Sequence, residues 1–321
     1  MQNPNRRQLL WGTVEDAPEG GQSWPQPPFR RPEPAESRLR AELPALQLAL
    51  ILLLLSPLMA AEVEQNETIQ KSYALSASAP KKVIVDNVNG SIHVTGYAGS
   101  EVRLLAHKRL RADSQADAEQ ARREVILDIS QTDNTVRFYV DGPFRCRDGG
   151  IRDRGDRGYE VKYDFELQVP HDTATDLKTI NDGEIKMENV AGDYKVNNIN
   201  GGIEMTEVSG SGKVYALNGK VKVLFRENPR DKSSFGSLNG EVRVTFQPDL
   251  NADLRFKTFN GGVFTDYPVS YLPQPVSTGE RHNGKFVYKS NEWSAVRVGR
   301  GGPELSFDAF NGNIRILNRG Q

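Results

Sequence analysis

The sequence predicts an all-β protein, a β-helix-like solenoid of 18–21-residue repeats with one short N-terminal helix. The first observation is that Asn-Gly or Asp-Gly pairs begin at positions 182, 200, 218, 239 and 260, which are 18 or 21 residues apart. The second is that apolar residues recur at fixed distances from each pair. The third is composition, since 29 glycines and 18 prolines against 37% hydrophobic residues are typical of a turn-rich rather than a helical chain.

The recurring pair marks a structural corner of the predicted fold. Further copies precede and follow the regular series. They share the consensus Φ-x-x-Φ-N-G-x-Φ-x-Φ, where Φ is apolar, except that the repeat of Asp182-Gly183 has Lys178 at the first apolar position. The Φ-x-Φ half has the period of two that a strand with one buried face shows, and Asn and Gly tolerate the positive φ that a sharp corner requires. The predicted corners are Asn89-Gly90, Asp182-Gly183, Asn200-Gly201, Asn218-Gly219, Asn239-Gly240, Asn260-Gly261 and Asn311-Gly312.

A hairpin interpretation competes with the solenoid, because Asn-Gly is also the strongest short-range hairpin signal. A meander or sandwich, however, would place apolar residues alternately on both sides of the pair, and here the spacing before the pair is three. We therefore expect each repeat to stack on the preceding one, so that like residues form continuous interior columns. Ile199 should lie beside Leu217, and Ile203 and Met205 beside Val221 and Val223.

The chain divides into segments of different character. We predict a β-rich N-terminal part at residues 62–170. Its one predicted helix is "SQADAEQARREV" (114–125), capped by Ser114 or Asp113. "VILDISQTDNTVRFYV" and "YEVKYDFELQVP" read as strands, and the helix is expected to cover them or their open end. Residues 171–321 hold the repeats and are expected to continue the preceding part as one domain.

A leader is predicted at residues 38–61. Arg38 and Arg40 precede the apolar run "ALQLALILLLL", and "SPLMAAE" follows it, as in a secretory signal peptide cleaved after Ala60 or Ala61. The run is short for a bilayer-spanning helix, so we expect an exported protein, periplasmic or at the cell surface or secreted, with no stable span after cleavage. An uncleaved anchor and a cytoplasmic protein are the alternatives. We predict that residues 1–37 are a disordered extension or result from a mis-assigned translation start.

Charge and cysteine content exclude several functions. The formal net charge of −1 disfavours nucleic acid as a partner. The single cysteine, Cys146, cannot form an intrachain disulfide, and the four histidines lack metal-ligand spacing. No cofactor is predicted.

A catalytic site for polysaccharide cleavage on a β-helix would require close carboxylates with a nearby cationic side chain. Glu184, Glu204 and Lys220, or Glu188 and Glu207, fall in consecutive repeats and are the candidates. Because the position after each corner glycine holds mixed residues, we interpret these side chains as ordinary polar surface. The sequence therefore predicts a protein that is not an enzyme, with a polysaccharide lyase or hydrolase as the alternative.

Two other stretches invite a functional interpretation. Arg154-Gly155-Asp156 matches a cell-adhesion tripeptide, but it lies in an Arg/Asp/Gly-rich segment that produces such a match by chance. The aromatic residues of the long insertion could line a carbohydrate or peptide surface, although packing onto the repeats is the favoured role. They are Tyr267, Tyr271, Phe286, Tyr288 and Trp293.

The repeats "INDGEIKMENVAGD", "INGGIEMTEVSGSG", "LNGKVKVLF", "LNGEVRVTF" and "FNGGVFTDYP", with the closing "GRGGPELSFDAFNGNIRIL", resemble the bacterial putative-adhesin family of unknown function, or toastrack domains. The resemblance covers roughly residues 80–320. It implies a β-helix-like stack in an exported or envelope-associated protein and transfers no catalytic residue. The expected function is thus an adhesin-like binding or scaffold protein with an envelope polysaccharide or protein partner. A sensing or signalling component of the envelope is a further alternative.

Overall fold

The structure is a computed structural model that describes residues 62–146, 157–273, 279–282, 285–288 and 293–320. The predicted N-terminal extension, the signal peptide and the Arg154-Gly155-Asp156 tripeptide lie outside the described residues, as do the side chains of Phe286 and Tyr288. In the described part, no helix is long and apolar enough to cross a membrane.

Strands make up most of the described chain, and one helix, α1 (Gln115–Glu124), accompanies them. The strands are β1 Val63–Ala74, β2 Lys82–Asp86, β3 Ile92–Tyr97, β4 Glu101–Ala112, β5 Ile126–Thr132, β6 Thr135–Asp141, β7 Tyr159–Pro170, β8 Ala174–Thr179, β9 Ile185–Glu188, β10 Tyr194–Asn200, β11 Ile203–Val208, β12 Gly212–Asn218, β13 Val221–Phe225, β14 Ser233–Asn239, β15 Val242–Phe246, β16 Ala252–Asn260, β17 Val263–Thr265, β18 Val269–Tyr271, β19 Gly279–His282, β20 Lys285–Tyr288, β21 Ser294–Val298, β22 Glu304–Asn311 and β23 Ile314–Asn318.

The strands form two large mixed sheets and a small hairpin of β19 and β20. The first sheet has the order β1-β4-β7-β3-β9-β11-β13-β15-β23-β17, and the second has the order β18-β21-β16-β22-β14-β12-β10-β8-β2-β6-β5. Each repeat gives the strand before its corner to the second sheet and the strand after it to the first. The corner at Asn200-Gly201, for example, joins β10 to β11. Because those two strands lie in different sheets, the corner is not a hairpin turn.

Neighbouring repeats pair in parallel and in matching register. Ile203 lies opposite Val221 and Met205 opposite Val223, as the sequence predicts. In the second sheet Val196 pairs with Val214. Strands with evenly matched parallel neighbours keep the same side chains on the same face, so each apolar position of the consensus becomes a column that crosses the sheet.

The inward columns meet in a core between the sheets. Its densest part is a group of four fully buried phenylalanines, in which the Phe225 and Phe246 rings stack with centroids 5.1 Å apart and the Phe235 and Phe307 rings with centroids 5.4 Å apart. The two stacks touch edge to face, with the Phe235 and Phe246 centroids 6.3 Å apart. Interlocked rings of this kind bury large apolar area in one fixed arrangement.

The order of repeats in the sheets differs from their order in the sequence. The expectation that each repeat stacks on the preceding one fails at the last repeat, because β22 lies between β14 and β16, and β23 between β15 and β17. The first repeat is inserted in the same way, since β2 lies between β6 and β8, and β3 between β7 and β9. Among the repeats that carry a corner, the first therefore lies at one end, and the last lies second from the other end.

The N-terminal part extends the first sheet beyond β3 with long antiparallel strands. β7 pairs with β4, and β4 with β1. The predicted helix is confirmed: the Ser114 side chain accepts a hydrogen bond from the Asp117 backbone N–H at the N-cap, and the helix buries Ala118 and Ala121. It packs against β4 and β7. The helix therefore buries only a small face against the sheet.

Candidate binding surface on the second sheet

The corners carry a continuous ladder of hydrogen-bonded asparagines. In each step, one Asn side-chain amide donates from Nδ2 to Oδ1 of the preceding Asn. The ladder runs through Asn89, Asn181, Asn200, Asn218, Asn239, Asn311 and Asn260, with one step of 3.3 Å followed by five of 2.8 Å. At the second corner the ladder residue is Asn181 rather than Asp182, which is an additional residue at φ 56°. Asp182 lies beside Arg109 and Lys162 in a cleft of about 400 Å³.

Replacing Asn200 with alanine should lower the free energy of unfolding by about 1–2 kcal/mol, because the amide donates to Asn181 and accepts from Asn218. Urea denaturation measures the change. Asn66→Ala is the matched control, since Asn66 is exposed on β1, and it should be nearly neutral. Equal effects of the two substitutions, or loss of ligand binding at unchanged melting temperature, would contradict a structural role of the corner.

The corner glycines are required by close packing rather than by backbone conformation. The sequence predicts positive φ at the corners, but of the predicted corner glycines only Gly90 has it, at 117°. A Cβ on Gly201 would instead lie 2.1 Å from the Gly183 carbonyl oxygen, and one on Gly219 would lie 2.1 Å from that of Gly201. The stacked backbones thus leave no room for a side chain.

In several repeats, a buried or half-buried polar residue two positions before the corner Asn satisfies the glycine carbonyls. The Asn198 amide Nδ2 donates to the Gly183 and Gly202 oxygens, both at 3.0 Å. Thr179, Ser237 and Thr258 donate in the same way from their hydroxyls. Sequence reasoning missed this position, although a polar residue recurring there was a readable signal. An unpaired buried carbonyl is costly. The polar side chain at this position therefore helps to fix the backbone geometry of the corner.

The apolar residue directly before the corner Asn faces outward in most repeats. Val88 and Ile180 are buried, but the next copies are half-buried and the last two are exposed, with Phe310 at 43% and Phe259 at 70%. We call the outward-facing copies the apolar strip. It consists of Ile199, Leu217, Leu238, Phe310 and Phe259 on the outer face of the second sheet. The Phe259 and Phe310 rings stack in parallel with centroids 4.9 Å apart.

The carboxylates considered for catalysis lie on exposed surface and several are paired with cations. Glu204 contacts Lys222 at 2.6 Å and Glu207 contacts Arg319 at 2.7 Å. The hydrogen bond from Lys222 holds the pKa of Glu204 below its ordinary value. Glu184 lies 3.5 Å from Lys186, and Glu188 lies 3.7 Å from His93. Lys220 is exposed and lies beside Lys222 in a small cleft. A lowered pKa keeps a carboxylate ionised, which does not suit a general acid.

The aromatic residues of the insertion serve different roles. Tyr267 is buried, and its hydroxyl donates to the Gln247 carbonyl at 2.8 Å, which agrees with packing; burial also raises the pKa of its hydroxyl. Tyr271 is 89% exposed. Trp293 is half-buried beneath the Arg255 guanidinium. In the described part of the chain, no group of three or more His, Cys, Asp or Glu side chains could hold a metal ion.

Comparisons with known proteins give structural neighbours but no sequence relatives. No family model matches the chain, and no curated protein matches it. A solved structure described as a putative cell adhesion protein from Clostridium sporogenes aligns with 79% of this chain and 100% of its own length, at 12% identity and a TM-score of 0.41. One described as a putative adhesin from Bacteroides fragilis aligns with 78% of this chain and 97% of its own, at 12% identity and a TM-score of 0.36.

A third neighbour is described as a putative lipid binding protein from Parabacteroides distasonis, at 11% identity and a TM-score of 0.23, covering 78% of this chain and 96% of its own. Four of the structural neighbours are bacterial proteins described as adhesins or as a cell adhesion protein, the group that the sequence resembles.

Proposed function

We propose that the protein is a non-enzymatic, adhesin-like binding or scaffold module of the bacterial cell envelope. In this proposal the leader at residues 38–61 directs export, and the repeats coil as one β-solenoid. The matching parallel registers on both sides of each corner support the coil, since the same repeats are neighbours in both sheets. The corners, in turn, act as structural elements that hold a rigid surface.

The apolar strip is the observation that carries the binding role. Scattered exposed apolar residues are normal, but a contiguous apolar row that is half-buried over three residues and exposed at Phe310 and Phe259 is typical of an interaction surface. Burying a phenylalanine side chain gains about 1.5–3 kcal/mol, so the Phe259 and Phe310 pair offers a partner substantial free energy. The strip also lies beside the asparagine ladder and on paired strands, which fix its residues in a straight row before any partner arrives. A preorganised surface of this kind loses little entropy on binding.

The electrostatics favour binding over hydrolysis. In the described residues, the carboxyl groups with a shifted pKa are all shifted downward by hydrogen bonds, from Tyr159 to Glu124, from Lys222 to Glu204, from Arg297 to Asp253 and from Lys232 to Glu304. A polysaccharide hydrolase needs at least one carboxylic acid with a raised pKa. The surface therefore supports recognition more directly than acid catalysis.

Co-sedimentation with isolated bacterial cell envelopes tests the proposal. We expect the protein to sediment with envelopes, and the double substitution Phe259→Ser and Phe310→Ser to weaken binding at least tenfold with only a small fall in melting temperature. Tyr271→Ser is the control, because Tyr271 is an even more exposed aromatic residue on β18, away from the strip. Failure of the unmodified protein to sediment, or full binding by the double variant, would overturn the proposal.

A further inference from the structure

We propose that the outer face of the second sheet around Tyr215 is a glycan-binding site that takes a linear polysaccharide of pyranose sugars. This inference rests on the proposed binding function and names its partner class. It comes from one aromatic ring, one glycine and the polar side chains around them, all on neighbouring strands of the described chain.

Tyr215 forms an aromatic platform that leans over a neighbouring strand of the sheet. It points outward from β12 and is 40% exposed. Its register partner on β14 is Gly236, and a Cβ on that glycine would lie 2.9 Å from Tyr215 Cδ2 and 3.2 Å from Cε2. The Cδ2–Cε2 edge of the ring therefore rests over the glycine, and the side chain keeps part of its surface open to solvent. Glycine in a strand interior often marks such a close approach.

Apolar side chains extend this platform. Leu217 follows Tyr215 by two residues on the same face of β12, and Leu238 stands in the same relation to Gly236 on β14. Both belong to the apolar strip, which continues across β22 and β16 to the stacked Phe310 and Phe259 rings. Because neighbouring strands are about 4.8 Å apart, the surface is long enough for several sugar units, which favours a polymer over a single sugar.

Polar side chains frame the platform on both sides. Asn197 is the register partner of Tyr215 on β10, and Asp308 is that of Gly236 on β22. Lys213 precedes Tyr215 by two residues and is exposed. In the described part of the structure, none of these three side chains makes a hydrogen bond or an ion pair. Their donors and acceptors are therefore available to a ligand rather than committed to the fold.

The combination fits a pyranose ring. Such a sugar has an apolar face of C–H groups, which packs on an aromatic ring, and a rim of hydroxyls, which both donate and accept hydrogen bonds. An amide, a carboxylate and an ammonium group around one aromatic face meet both requirements. A protein hot spot or a bilayer instead favours aromatic side chains that project and insert into a partner. Tyr215 instead rests against Gly236 of the neighbouring strand, so the geometry favours a glycan.

Affinity electrophoresis tests the site directly. The protein is run in native gels that contain hydroxyethyl cellulose, xylan, polygalacturonate or soluble peptidoglycan strands. We expect at least one polysaccharide to retard it, Tyr215→Ala to weaken that affinity at least tenfold, and Tyr215→Trp to retain it. Phe264→Ala is the matched control, because Phe264 also lies across a glycine, Gly262, but on the first sheet. Retardation by no polysaccharide, or an equal affinity of Tyr215→Ala, would overturn the inference.

Pretreated envelopes separate this inference from the proposed function. Periodate, which cleaves the vicinal diols of sugars, combined with lysozyme, which hydrolyses the peptidoglycan strands that lack such diols, should abolish co-sedimentation, and proteinase K treatment should leave it intact. Binding that survives the combined periodate and lysozyme treatment but not proteinase K would overturn the glycan site while leaving the envelope-binding role in place. Retardation by a polysaccharide without any envelope binding would instead contradict the envelope role alone.

Discussion

Replacing Gly201 with alanine should destabilise the protein by about 2–4 kcal/mol, although it adds only one methyl group. The added Cβ would lie 2.1 Å from the Gly183 carbonyl oxygen, a backbone atom that cannot rotate away. The neighbouring repeats would have to separate locally, which strains both sheets and the asparagine ladder. Overpacking in a well-packed region costs about 1–3 kcal/mol and occasionally more. Chemical denaturation followed by circular dichroism measures the loss.

Gly202→Ala is the matched control for this prediction. Gly202 is the next residue, but the atom nearest to an added Cβ is the Lys220 carbonyl oxygen at 3.5 Å, an ordinary contact. Its φ also lies outside the positive region. Alanine should therefore be neutral there, or stabilising by about 0.4–1 kcal/mol through the unfolded state. If both substitutions cost the same, close packing is not the reason for glycine at the corner.

Phe235→Ala is expected to cost about 3–5 kcal/mol, the range for removing a fully buried phenylalanine. The side chain is 1% exposed and touches the Phe225, Phe246 and Phe307 rings, so truncation leaves a cavity that three rings border. The midpoint of urea unfolding should fall, with an unchanged slope if the protein unfolds in one step.

Phe259→Ala is the comparison that distinguishes the inner from the outer column. Phe259 is 70% exposed and loses only its stack with Phe310, so about 1 kcal/mol or less is expected. A cost as large as that of Phe235→Ala would show that the apolar strip belongs to the core and is not a surface for a partner.

Strand positions and repeat length could be predicted from the sequence, because apolar residues at a period of two indicate a strand with one buried face. The helix was predictable for a similar reason, since Ser114 and an uninterrupted run of helix formers define it locally. It was harder to predict which residues of each repeat point inward. Both the fourth and the first residue before the corner Asn are apolar, and only the stacked carbonyls explain why Asn198 points inward while Ile199 does not.

The candidate site was less accessible to sequence reasoning. Tyr215 and Gly236 are 21 residues apart, and only the register of β12 with β14 places them side by side. A glycine within the strand pattern "SSFGSLN" was the available signal. The requirement for glycine at the corners was predicted, but for a conformational reason, because the distance between stacked backbones depends on tertiary structure that a single repeat does not encode.

The insertion of the last repeat has a consequence for how the chain folds during synthesis. Within the described structure, β17 pairs only with β23, and β16 pairs with β22 and β21, all of which emerge later. The segment from Ala252 to Thr265 thus has no lasting partner when it is made and must wait for the chain that follows. The growing chain therefore cannot complete the end of the sheets that holds β16 and β17 by adding one repeat at a time. Until those later strands are made, the segment lacks its partners in both sheets.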